Sequence, residues 1–60
     1  MFYFVKYQDT RREWRWTFHA TNGEAIAVSS EGYTHEASCD NSIELVRRGA
    51  PGAQVRRRAA

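Results

Sequence analysis

The run Glu13-Trp14-Arg15-Trp16-Thr17-Phe18, followed by Thr21-Asn22-Gly23-Glu24, constrains this chain more than any other stretch. Its aromatics recur at every second position. As a β-strand it therefore places Trp14, Trp16 and Phe18 on one face and Glu13, Arg15 and Thr17 on the other. Asn22-Gly23 follows at hairpin distance. A two-residue turn there sets Phe18 opposite Ala27 and leaves Ile26 behind His19. A three-residue loop, Thr21-Asn22-Gly23 with Gly23 left-handed, sets Phe18 opposite Ile26 and Trp16 opposite Val28. A one-residue slip turns every side chain to the other face, so the apolar pattern favours the three-residue loop.

Phe2 to Tyr7 is apolar on both sides, with Phe2 and Phe4 facing one way and Tyr3, Val5 and Tyr7 the other. Such a strand is central or covered by a partner. After a polar connection, Gln8 to Arg12, comes the tryptophan strand. A third strand from Glu24 to Ser29 carries Ile26 and Val28. Ser29-Ser30-Glu31-Gly32 breaks the pattern, with Gly32 able to take positive φ. Thr34 has the chemistry of an N-cap, and Glu36 complements the positive end of a helix dipole. From there to Arg48, the residues Cys39, Ile43, Val46 and Ala50 form one narrow apolar stripe. Gly49 suits the position after the helix, and Pro51 cannot continue it. Leu45 lies off the stripe, as a solvent or interface residue would.

The order predicts an α+β fold, a three-stranded antiparallel sheet with one helix packed on a face (β-β-β-α). Residues 1–50 form the single domain, and 51–60 form a flexible basic tail. A 60-residue chain buries only about 60 % of the surface its unfolded form exposes. Its one cysteine makes no intramolecular disulfide, and the usual remaining remedy is oligomerisation. Two edges and an uncovered aromatic face are what pairing would hide, so a homodimer is expected.

The formal net charge of +2 is uneven. Residues 1–50 carry Lys6, Arg11, Arg12, Arg15, Arg47 and Arg48 against seven acids, a net of −1. The excess lies in Arg56, Arg57 and Arg58. No apolar run approaches the about 20 residues of a membrane span. The first residues lack a signal peptide's basic start and small-residue cleavage site. With a lone cysteine, these features point to the cytoplasm.

Several short motifs occur in a specific order: Glu13-Trp14-Arg15-Trp16, Asn22-Gly23-Glu24, Ile26-Ala27, Ser30-Glu31-Gly32-Tyr33, Ala37-Ser38-Cys39, Asn41, Ile43-Glu44 and Val46. From Glu13 to Ala53 the chain resembles the YegP-like family of small bacterial and archaeal proteins, a domain of unknown function. The resemblance implies the same small sheet-and-helix unit, used once or as a tandem pair. A single copy resembling half of a tandem protein implies a homodimer. Ser42 departs from the family's usual Gly or Ala, and the arginine tail lies outside the pattern. No activity comes with the resemblance.

Three function classes remain to be weighed. His35 and Cys39 share a helix face and could reach a metal, with His19 a remote third ligand. Cys39 also belongs to the apolar stripe, where a free cysteine behaves as a small hydrophobe. Tyr33, Ser29, Ser30, His35 and Glu31 cluster in sequence without catalytic spacing, so no enzyme, cofactor or metal is expected. Nucleic-acid binding could use Trp14-Arg15-Trp16 with Tyr3 and Tyr7 to stack bases, and Arg11, Arg12 and Arg15 to hold phosphates. Against it, the tryptophans are best placed to cover the helix, and Glu13 beside Arg15 looks like a charge pair in water. The expectation is a non-enzymatic protein-interaction or structural module. Its candidate binding surface is Arg11, Arg12, Arg15 and Tyr33 with Arg56, Arg57 and Arg58.

Overall fold

The computed structural model describes residues 1–59; Ala60, the last residue of the expected tail, lies outside the described residues. Strands β1 (Tyr3–Gln8), β2 (Trp14–His19) and β3 (Ala25–Val28) precede helix α1 (Glu36–Gly49), which runs into a 3-10 turn at Ala50–Gly52. The sheet is antiparallel in the order β1-β2-β3. The tryptophan strand is central, and both β1 and β3 are edges.

The two-residue alternation places the core. Phe4 pairs with Phe18, Lys6 with Trp16 and Gln8 with Trp14. Those side chains share the helix face, as period two requires. Phe4 meets the edge of Trp16 at 5.4 Å and packs on Phe18 at 4.6 Å between ring centroids. Trp16, Cys39 and Ser29 are the buried residues among those described. Cys39 is completely enclosed, and burial pushes its thiol pKa up. The apolar stripe of α1 is covered only in part: Ile43 is half-buried, while Val46 and Ala50 remain exposed.

The hairpin loop forms as expected, but the register beyond it does not. Gly23 is left-handed at φ 89° and donates to the Ala20 carbonyl at 2.8 Å, while Ala20 N–H donates to Glu24 at 2.9 Å. This is a three-residue loop with a glycine bulge. His19 then pairs with Ala25, but Phe18 pairs with Ala27 and Thr17 with Val28. A second bulge at Ile26 shifts the register by one residue. Phe18 thus does not face Ile26, nor Trp16 Val28. Trp16 is instead locked to Ser29. Its N–H donates to the Ser29 hydroxyl at 3.2 Å, and Ser29 N–H donates to the Trp16 carbonyl at 2.9 Å. Beside two large rings, the small residues Ala27 and Ser29 take the helix-side places, and Ile26 and Val28 stay exposed.

Both helix ends also differ from expectation. His35, not Thr34, occupies the N-cap position, with extended backbone and no side-chain cap. The physical reason is upstream: Tyr33 is tied to Trp14 by two backbone bonds of 2.7 and 2.9 Å, so the chain leaves the sheet late. Gly49 keeps helical φ (−85°) and does not turn left-handed. Pro51 lacks an N–H and ends the α ladder, and the 3-10 turn absorbs it. Gly32 has no positive φ. It is needed because a Cβ there would meet Glu13 Oε1 at 2.5 Å and Glu13 Cβ at 2.9 Å.

Candidate functional site

Three surfaces stand out once the fold is assembled. The first is the end of the sheet where β1 turns into β2. Asp9 organises this loop. Its carboxylate accepts from Arg11 N–H at 2.9 Å, Glu13 N–H at 3.0 Å and Arg15 Nε at 2.7 Å. Arg15 and the backbone donors stabilise the ionised form, holding Asp9 below the usual carboxylate range. Arg15 therefore pairs with Asp9 and not with Glu13. Arg12 sits in the left-handed region at φ 62° and donates its N–H to the Asp9 carbonyl at 3.0 Å. The fold brings Arg11, Arg12, Arg15 and Tyr33 to this one end. The side chains of Arg11 and Arg12 make no ion pair among the described residues. The tail that carries Arg56, Arg57 and Arg58 starts at the opposite end, where Pro51 lies beside Phe2 and Phe18.

The second surface is the face of the sheet away from α1. Tyr3, Val5 and Tyr7 of β1 lie across from His19, Thr17 and Arg15 of β2, and Val28 of β3 lies beside Thr17. Tyr3, Val5 and Tyr7 are each about 40 % exposed. Tyr3 and His19 stack in parallel, 4.9 Å between centroids with a 5° interplanar angle. His19 Nδ1 lies 3.0 Å from the Gly23 carbonyl, which can only accept. In the neutral ring, Nε2 is then free to accept from the Thr17 hydroxyl at 2.7 Å.

The third surface is an open apolar groove of about 510 Å³ between the ends of β1 and β2 and the last turns of α1. Phe2, Phe4 and Phe18 form one wall, and Val46, Ala50 and Pro51 the other, with Arg47 at the rim. Phe2 stacks on Phe18 at 5.8 Å yet remains 58 % exposed. Sequence reasoning missed this groove. The signal was present in Val46 and Ala50 continuing the stripe past the point where one sheet can cover it.

The metal-ligand idea gains nothing from the fold. His19 is engaged with Tyr3, Thr17 and Gly23, and Cys39 is enclosed beneath α1. The described residues contain no cluster of three His, Cys, Asp or Glu. No helix among them is long and apolar enough to cross a membrane. Two of the residues weighed for catalysis serve the fold: the Ser29 hydroxyl accepts from Trp16 N–H, and Tyr33 bridges Trp14. Trp16 is buried and Phe4 packs on its ring, so it offers no surface on which a base could stack.

A family model described as "Domain of unknown function (DUF1508)" matches residues 9–56. UPF0339 protein Atu5359 of Agrobacterium fabrum is 44 % identical over 55 residues, covering 92 % of this chain and 87 % of that protein. A UPF0339 protein from the ptx operon 5′ region of Stutzerimonas stutzeri is 40 % identical over 58 residues, which are 95 % of this chain but only 51 % of that relative. The NMR solution structure of a Haloferax volcanii protein superimposes with a TM-score of 0.86 at 33 % identity, covering 95 % of both chains. The chain therefore belongs to the DUF1508 family, the UPF0339 proteins, whose three-stranded antiparallel sheet and single helix it shares.

Proposed function

We propose that the protein is a non-enzymatic interaction module that works as a homodimer, with the second copy seated along β1 and over the neighbouring groove. The groove carries the reading: in a chain of 60 residues, Phe2, Phe4, Phe18, Val46, Ala50 and Pro51 line an open apolar space. Large exposed apolar patches mark interaction sites. The edge beside it supports the same reading. β1 is six residues long, regular and free of proline, whereas β3 has four residues and a bulge. Short, bulged edges are protected; long, flat ones invite pairing.

A symmetric antiparallel pairing of two β1 strands joins two sheets into one. It leaves both grooves on the helix-bearing face of the joined sheet, one at each end of the seam, as the two-fold relation requires. The Stutzerimonas relative is about twice as long as the segment it shares with this chain, room for both halves in one polypeptide. The enclosed Cys39 thiol is withheld from redox and nucleophilic chemistry, in keeping with a binding role in the reducing cytoplasm.

Light scattering on the full chain tests this. The reading expects a mass near twice the 7.0 kDa chain, and a return to the single-chain value in Phe2→Asp and Val46→Asp. Both are exposed positions, so the charge disturbs the interface before the core. A 7.0 kDa mass for the native protein, or a dimer that ignores both substitutions, would defeat it.

A further inference from the structure

The face of the sheet away from α1 is not used by the groove or the β1 edge, and its chemistry is unlike either. It presents two cross-strand pairs of planar groups, Tyr3 with His19 and Tyr7 with Arg15. Their positions on β1 are four residues apart, about 13 Å along an extended strand. The Tyr3–His19 pair is already stacked and nearly coplanar in orientation. Arg15 is held by Asp9 Oδ2 at 2.7 Å, which fixes its guanidinium and neutralises its charge, so its contribution here is planar. Charge comes from the two ends. Arg11 and Arg12 lie beyond Tyr7, with no carboxylate partner among the described residues. The tail that carries Arg56, Arg57 and Arg58 starts at Pro51, beside Phe2 at the end of the sheet that holds Tyr3 and His19, and among the described residues Arg56 bonds to Gln54, at 3.5 Å.

From this arrangement we infer that the open sheet face binds single-stranded nucleic acid. The bases stack on the Tyr3–His19 and Tyr7–Arg15 stations, and the phosphates are held by the arginines at either end. Aromatic side chains on a sheet accept any base, because every base has a π-face, while flanking cations track the backbone. Two stacking stations and terminal charges favour strand binding without sequence preference. A protein partner would meet a face whose central apolar groups, Val5 and Val28, are flanked by rings and polar groups and offer little to anchor it. The site keeps Tyr3, Tyr7, Arg11, Arg12 and Arg15 of the nucleic-acid reading made from sequence, adds His19, and drops Trp14 and Trp16, which lie on the helix face. It stands independently of the homodimer: one copy carries both stations, and β1 pairing would set two such faces side by side.

Fluorescence anisotropy with fluorescein-labelled oligo(dT) and oligo(U) of about 12 nucleotides, on the full chain, is the test. Anisotropy should rise at about 0.05 M salt and fall back by about 0.3 M. Tyr3→Ala and Tyr7→Ala should each weaken binding about tenfold, while Tyr3→Phe and Tyr7→Phe, which keep the ring, should not. Replacing Arg56, Arg57 and Arg58 by Gln should weaken binding and flatten its salt dependence. If an alanine variant fails to fold, the native chain still decides by NMR. Ring signals of Tyr3, Tyr7 and His19 must shift on adding the oligonucleotide. No anisotropy change at low salt overturns the inference. So does binding that ignores both tyrosines and vanishes with the tail arginines, or NMR shifts confined to the tail.

Discussion

Ser42→Ala probes the contact that joins the helix to the central strand. The Trp16 indole N–H donates to Ser42 Oγ at 2.8 Å, and Ser42 in turn donates to the Cys39 carbonyl at 2.8 Å. Trp16 is 7 % exposed, so removing the hydroxyl leaves a nearly buried donor without a partner. Such a loss costs about 1–2 kcal/mol. Alanine recovers roughly 0.5 kcal/mol of helix propensity over serine. The net is about 1 kcal/mol, which in a domain this small lowers Tm by about 4–8 °C. Thermal unfolding by circular dichroism, at one fixed concentration because association shifts Tm, reads it directly. Trp16→Phe completes a cycle: once the indole N–H is gone, Ser42→Ala should cost about 1 kcal/mol less than in the native background. An unchanged or raised Tm for Ser42→Ala would refute the reasoning. So would equal costs in the two backgrounds, since the hydroxyl would then not be serving the indole.

Two further outcomes follow from the fold. Gly32→Ala should destabilise by about 1–3 kcal/mol, because its Cβ would meet Glu13 Cβ at 2.9 Å, too close to the backbone to swing away; chemical denaturation with an unchanged midpoint would show that the loop yields freely. The pH dependence should report Asp9, whose pKa is lowered in the folded state by Arg15 and backbone N–H donors. A depressed folded pKa gives stability that is present above the unfolded value of about 3.9 and is lost as pH falls toward the folded one. The Tm difference between the native chain and Asp9→Asn should thus be full near neutrality and shrink below about pH 4. A difference independent of pH down to about 2 would mean that the Arg15 and N–H contacts do not favour the carboxylate.

Much of this architecture was legible in local pattern. Alternation assigned Trp14, Trp16 and Phe18 to the helix face; on β1 it separated Phe2 and Phe4 from Tyr3, Val5 and Tyr7 without fixing which set meets the helix. Asn22-Gly23 marked the loop, and Gly23 took the left-handed position that its missing Cβ allows. The stripe on α1 is buried at Cys39 but exposed at Val46 and Ala50, because periodicity shows which way a side chain points and not whether anything covers it. The arginines were legible as charges but not as a surface. Their grouping depends on which ends of the sheet the loop and tail reach, and Asp9 captured Arg15 through a loop conformation that spacing alone does not reveal.

What the sequence determined by itself was everything carried by a two- or 3.6-residue period and by residues with unusual backbone freedom: the elements, their order, and which face of β2 turns to the helix. Tertiary structure decided the rest. The register of β3 turned on whether two apolar residues or two small ones fit beside Trp16 and Phe18, and Ser29 won because its hydroxyl and N–H both bond the Trp16 backbone. The helix start turned on Tyr33, held to Trp14 across the sheet. Such contacts join residues 13 to 26 positions apart, from Trp16–Ser29 to Trp16–Ser42. No local period encodes them, because their energy depends on the volume and polarity of groups that meet only after the chain has folded.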